Sequence, residues 1–329
     1  MGLRSPGTEA ATGASFGVAS MVAPLRRVAM RRPGRATLEA DPALWHYAAP
    51  LEPARLLRQY DAFALRVAEA GAEVEWIASQ PDDDGDDGLA DSIFTFDASF
   101  MTPGGAILLR PGKALRRPEV ALHEALYARL GVPVIGAVVP PGVAEGGDLM
   151  WIDGRTVAVG RGFRTNQAGI DQLRAILAPL GVELRAFDLP MWNGSAACLH
   201  LLSLISPLDR DLALVYPRLL PVALHGLMRE RGIHCLNVDD EEFEASGGLA
   251  VNVLTTAPRR GLAIDGFPRT AALMRDAGCD LTLFAADALC LPCEGGPTCL
   301  TLPIHRAQGR EGAREPVTER GRHEGEQTC

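Results

Sequence analysis

The sequence predicts an α/β fold in which about five small mixed sheets close into a ring around a central channel. Short apolar strands and amphipathic helices alternate along the chain in about five units of strand, strand, helix, strand, each needing its neighbours to bury its apolar face. No glycine-rich phosphate loop follows the first strand, which excludes a doubly wound dinucleotide-binding sheet. At 329 residues the chain is long enough for such a ring. A site in it belongs in the channel.

Residues 1–20 are mostly small and polar, lack the basic and apolar blocks of a signal peptide, and are expected to be disordered. The folded domain is expected over residues 21–306, followed by a polar, disordered tail from 307 to 329. Within the domain, 26–30 reads as a strand, 53–70 as a helix and 73–77 as a strand. An acidic loop, 82–87, leads to Asp91 Ser92 Ile93 Phe94 Thr95 Phe96 Asp97. A strand over 105–110, a helix over 118–130 and a strand over 132–139 complete the next unit. Residues 148–152 and 156–159 form a hairpin around Asp153 Gly154, a pair that favours the left-handed turn a tight hairpin needs. Asn166 opens a helix running to about 180, and a strand spans 181–187. Strands at 198–206 and 211–216, a helix at 221–231 and a strand at 234–238 follow. The last unit has strands at 250–256 and 260–264, a helix at 268–277 and a strand at 281–285. The run 300–304 is strand-like, and the turn Glu294 Gly295 Gly296 Pro297 Thr298 delivers Cys299 to its start.

Composition narrows the function. The hydrophobic fraction of 47% and charged fraction of 22% are those of a globular protein, and no run is long enough to cross a bilayer. A net charge of -9 disfavours a nucleic-acid partner, because no segregated basic face offsets the acidic excess. The seven cysteines, at 198, 235, 279, 290, 293, 299 and 329, have no framework spacing and fit reduced thiols in a cytoplasmic protein. Cys290, Cys293, Cys299 and His305 could gather around zinc, but no second cysteine pair follows the first, so no metal is expected.

Five segments hold charged or nucleophilic residues near strand ends or turns: 91–97, Glu145 Gly146 Gly147 Asp148, Arg161 Gly162 Phe163 Arg164 Thr165 Asn166, Cys198 Leu199 His200 Leu201, and Gly295 to Cys299. Taken singly, each has a plain structural explanation, such as a buried thiol, a satisfied histidine, an acidic turn or a solvated arginine. Together, in this order and spacing, they resemble the guanidino-group-modifying enzymes (the pentein superfamily) over about residues 26–304, and most of all its dimethylarginine dimethylaminohydrolases. The resemblance implies a five-bladed α/β propeller with the site in its channel, and a covalent mechanism without a cofactor. By this resemblance Cys299 attacks the guanidinium carbon, and His200 protonates the leaving amine and then activates water. Glu145 orients His200 and binds the guanidinium, Asp97 is the second guanidinium-binding carboxylate, and Asp91 lies nearer the substrate's amino end. Arg116 and Arg164 match positions that grip an amino-acid carboxylate, a task suited to a bidentate fork.

Departures from the family branches point to the substrate. Arginine deiminases carry a second carboxylate two residues after the histidine, where this chain has Leu202, which weighs against plain arginine. Dimethylarginine dimethylaminohydrolases usually carry glutamate just before the aspartate, where this chain has Phe96; an aromatic ring there offers a surface for a substituted cation. The expected partner is therefore a small guanidino substrate, N-methylated arginine first, with an amidinotransferase or a non-catalytic binding protein of the same fold as alternatives. Self-association as a homodimer is left open.

Overall fold

The computed structural model describes residues 15–77, 88–194 and 199–307. Fifteen strands form five three-stranded sheets. In chain order the strands are β1 (Leu25–Met30), β2 (Glu73–Trp76), β3 (Ser99–Thr102), β4 (Gly105–Leu108), β5 (Val134–Ala137), β6 (Leu149–Asp153), β7 (Thr156–Arg161) and β8 (Glu183–Asp188). They continue as β9 (Ile205–Asp209), β10 (Leu212–Val215), β11 (His234–Asn237), β12 (Val253–Ala257), β13 (Arg260–Ile264), β14 (Asp280–Phe284) and β15 (Leu302–Arg306).

Every sheet repeats one plan. An antiparallel pair is followed by a helix, and the helix returns the chain to a third strand parallel to the second. The linking helices are Pro53–Glu69, Glu119–Leu130, Gln167–Leu177, Val222–Glu230 and Pro268–Asp276. Burial falls outward along each blade: β3 is buried at every position, whereas β5, its blade's outermost strand, has no buried residue. Helix Pro53–Glu69 shows why these helices form. Proline sits in its first turn, and Leu56, Tyr60, Phe63 and Val67 fall on one buried face at helical spacing.

The first blade closes the ring. Its inner strand is β15, from the C-terminal end of the domain, paired antiparallel to β1, so the two ends of the domain lock each other. Gly17 extends the closure by donating from its N–H to the Ile304 carbonyl (2.8 Å) and accepting from the Arg306 N–H (3.1 Å). Gly17 is thus tied to the first blade, a correction to the expected disorder over 1–20 at its C-terminal end.

The five-unit α/β propeller expected from the sequence is the fold observed, with local differences. Ser99–Thr102, unassigned by pattern, is the inner strand of its blade. The strand expected at 198–206 begins only at Ile205, because Leu201–Ser203 form a single 3-10 turn. In that turn the Ser203 hydroxyl accepts from the His200 N–H (3.2 Å). The expected strand at 300–304 starts at Leu302, since Leu300 and Thr301 N–H groups bond back to Gly296 and Thr298 in a turn. The acidic loop 82–87 and Cys198 lie outside the described residues. Among the described residues no helix is long and apolar enough to cross a membrane.

Candidate active site

Each inner strand is preceded by a loop that delivers polar side chains to one end of the channel. Asp97 precedes β3, Glu145 and Asp148 precede β6, His200 precedes β9, Asn252 precedes β12 and Cys299 precedes β15. Five-fold repetition of the blade converts five distant stretches of sequence into one cluster. A cavity of about 280 Å³ opens there, with Asp91, Asp97, Arg164, His200, Asn252 and Cys299 on its walls.

The histidine and the glutamate are coupled directly. His200 Nε2 lies 2.6 Å from Glu145 Oε2, and its Nδ1 faces Asp97 Oδ1 at 4.0 Å. Glu145 is fully buried. Its other contacts are the Lys113 N–H (3.2 Å to Oε1) and the Arg164 guanidinium (3.3 and 3.4 Å). Burial pushes the Glu145 carboxyl up, but the hydrogen bond and charge of His200, aided by Arg164 and Arg116, hold it well below the usual carboxylate range. Glu145 therefore stands behind His200 as a fixed anion and is not on the cavity wall.

A further layer fixes this pair. Asp148, fully buried, accepts from the Thr165 hydroxyl (2.6 Å) and from the Leu201 N–H (3.0 Å), the residue after His200. The same Thr165 hydroxyl accepts from the Glu145 N–H (3.2 Å). Burial pushes the Asp148 carboxyl up to about 6. Gly147 is required by close approach, for a Cβ there would sit 2.4 Å from His200 Nδ1.

Arg116 differs from its expected role. It is 4% exposed, and its fork is spent inside the protein: on Asp97 (2.6 Å), on Glu119 (2.9–3.1 Å), and on the carbonyls of Asp91 (3.3 Å) and Phe94 (2.9 Å). So occupied, it holds the 91–97 loop from within, although it also lines the cavity. Asp97 is aimed by Arg116 on one oxygen and by the Gly147 N–H (2.9 Å) on the other. Asp91 accepts from the Tyr47 hydroxyl (2.8 Å) and pairs with Lys113 Nζ (2.5 Å), which also lies 4.8 Å from the centre of the Trp45 ring. Burial, and then Asp91, push the Tyr47 phenol up, so it remains a donor. Lys113 Nζ also donates to the Trp45 carbonyl (2.7 Å), and Lys113 and Arg164 both line the cavity.

Phe96 also departs from expectation. Its ring is buried in the apolar core with Met150, Leu201 and Leu202, while Phe94 is the ring that lines the cavity. The loop carries both side chains to opposite sides, and only the one packed against Gly295 reaches the site.

Cys299 is half-buried in the turn ahead of β15. Asn252 reaches its sulfur (Nδ2 to Sγ 3.5 Å) and accepts from the Thr298 N–H (3.0 Å), fixing the turn. A Cβ on Gly296 would meet Asn252 at 2.4 Å, which explains one glycine of the pair. Burial pushes the Cys293 thiol up to about 12 and Cys290 well above its ordinary value, so neither competes with Cys299 as a nucleophile. The cysteines do not assemble with His305 into a zinc site; among the described residues the only tight group of potential metal ligands is Asp97, Glu145 and His200, already engaged by Arg116 and Arg164.

Lys113, Asn252, Phe94 and Tyr47 line the cavity without a motif in the sequence that marks them. Asn252 had a signal, namely its place one residue ahead of an inner strand, equivalent to the site-bearing loops of the other blades.

The arginine deiminase family model matches residues 86–233. The dimethylarginine dimethylaminohydrolase of Streptomyces coelicolor is 32% identical over 258 residues, spanning 75% of this chain and 85% of that protein. The solved dimethylarginine dimethylaminohydrolase of Pseudomonas aeruginosa, complexed with citrulline, superposes with a TM-score of 0.69 at 21% identity, over 85% of this chain and 100% of that one. An amidinotransferase of Microseira wollei from saxitoxin biosynthesis superposes with a TM-score of 0.72 at 16% identity, over 90% of this chain and 98% of that one. With five blades, a cysteine and a histidine brought to one end of the channel, and this level of identity, the chain belongs to the dimethylarginine dimethylaminohydrolase family of guanidino-modifying enzymes.

Proposed function

We propose that the protein hydrolyses N-methylated arginine to citrulline and a methylamine through a covalent adduct on Cys299. The observation that carries this is the buried Glu145–His200 pair opening onto the same small cavity as Cys299 and Asp97. Asp91 and Asp97 on the cavity wall, with Glu145 behind His200, are the carboxylates that an added guanidinium would meet.

In this reading the Cys299 thiolate attacks the guanidinium carbon and forms the C–S bond. His200 gives a proton to the departing amine as the C–N bond breaks, leaving a thiouronium. Water, deprotonated by His200, then adds to the same carbon, the C–S bond breaks, and the ureido product leaves with the thiolate restored. With Nε2 held by Glu145, Nδ1 is the nitrogen that exchanges protons in both steps. Lys113, Arg116 and Arg164 put positive charge on the cavity walls for the carboxylate of the substrate's amino-acid end. Seven cysteines without framework spacing support action in the cytoplasm.

The test is ureido-product formation from arginine, monomethylarginine, asymmetric dimethylarginine and agmatine, with Cys299→Ala as control. Turnover of the methylated substrates, abolished by the substitution, is the expected result. Turnover confined to arginine or agmatine would contradict the substrate assignment.

A further inference from the structure

A second cavity, of about 730 Å³, opens at the other end of the blades and shares no residue with the one that holds Cys299. Its rim includes the β6–β7 turn (Asp153, Gly154) and the β9–β10 turn (Asp209, Arg210), so it meets the inner strands at the ends opposite Asp148 and His200. Its walls are apolar, with Met150, Ile205, Leu212, Met228 and Ile233.

Two polar groups on these walls lack the partners their burial demands. Arg306 is 4% exposed, and its guanidinium donates to the carbonyls of Ala23 (2.6 Å) and Thr255 (2.8 Å) and has no carboxylate partner among the described residues. Trp151 is 2% exposed, and its indole N–H has no hydrogen-bond partner among the described residues. Both residues line the cavity. A buried cation facing only carbonyl dipoles, and a buried donor facing nothing, both favour an incoming anion. The rim does not oppose one: Asp153 is paired with Arg231 and Asp209 with Arg259 (2.9 Å), while Arg210 is exposed beside them. Burial lowers the Arg306 guanidinium to about 9, as expected of a cation with no neighbouring anion.

We propose that this cavity binds a small amphipathic monocarboxylate, its carboxylate toward Arg306 and the Trp151 N–H and its hydrocarbon against the apolar walls. The site is separate from the catalytic cavity and does not depend on the reaction assigned to it.

The test is calorimetric titration of the full-length protein with octanoate, 1-octanol and octylamine, repeated with the catalytic cavity filled by a guanidino substrate on Cys299→Ala protein. Octanoate is expected to bind at least about tenfold more tightly than octanol or octylamine, with no change when the catalytic cavity is filled. Ile233→Glu places a like charge on the half-buried wall and is expected to weaken octanoate at least about tenfold, whereas Trp151→Phe, which keeps the ring and removes the N–H, weakens it severalfold. Absence of octanoate binding at millimolar concentration, equal binding of octanol, or displacement by the guanidino substrate would each overturn the proposal.

Discussion

His200 Nε2 and Glu145 Oε2 lie 2.6 Å apart, and the glutamate is completely buried while the histidine lines the cavity. That asymmetry separates a group that acts on the substrate from one that acts through another. Glu145→Gln keeps the shape of the side chain and removes its charge. The expected outcome is a kcat lowered by about a hundredfold or more, with KM changed by less than about threefold. A large rise in KM at unchanged kcat would instead make Glu145 a direct guanidinium ligand.

Gly147→Ala puts a methyl group where His200 Nδ1 now lies 2.4 Å from the ideal Cβ position. The ring must rotate or withdraw, so kcat/KM is expected to fall at least about a hundredfold. The site is local, and thermal unfolding should move by only a few degrees. Near-normal turnover would mean that the histidine works in a different orientation.

Phe94 and Phe96 give different predictions for KM. Phe96→Ala empties a packed core position and should cost about 3–5 kcal/mol of stability, measured by denaturant unfolding, with KM little altered. Phe94→Ala also empties a buried position, but it should in addition change KM for methylated substrates, because its ring borders the cavity. The reverse pattern would restore Phe96 to the substrate site.

These two phenylalanines also show where the sequence stops being informative. The blade repeat, the hairpin at Asp153 Gly154 and the helix opened by Asn166 were legible, because each rests on local periodicity or turn chemistry. Cys299, His200, Glu145, Asp91 and Asp97 were legible through motif resemblance, and the fold does bring them to one end of the channel. The orientation of a side chain in an irregular loop follows no period, so the motif points to Phe96 while the fold turns Phe94 to the cavity. Arg116 lines the cavity, but its engagement by Glu119 and the Phe94 carbonyl follows no local pattern, because only the tertiary structure sets the positions of those partners.

Asp148 should leave a signature in the pH dependence of stability. Burial raises its carboxyl in the folded protein to about 6, above the usual value, so the folded state holds a proton that the unfolded chain releases. Its contribution is fully present below about pH 4 and is lost as the pH rises through about 6, a change on the order of 3 kcal/mol. Asp148→Asn removes this titration, and its unfolding free energy should vary less between pH 4 and 6.5 than the parent's. An unchanged slope would mean that Asp148 is ionised throughout, held so by Thr165 and Leu201.

The central claim is that Cys299 carries the reaction. Intact-protein and peptide mass spectrometry of enzyme quenched in acid during turnover of asymmetric dimethylarginine tests it most directly. The expected result is an added mass equal to the substrate less dimethylamine, confined to the peptide containing Cys299 and missing from Cys299→Ser protein. Turnover that continues in the Cys299→Ser protein, or an adduct on Cys290 or Cys293 instead, would contradict it.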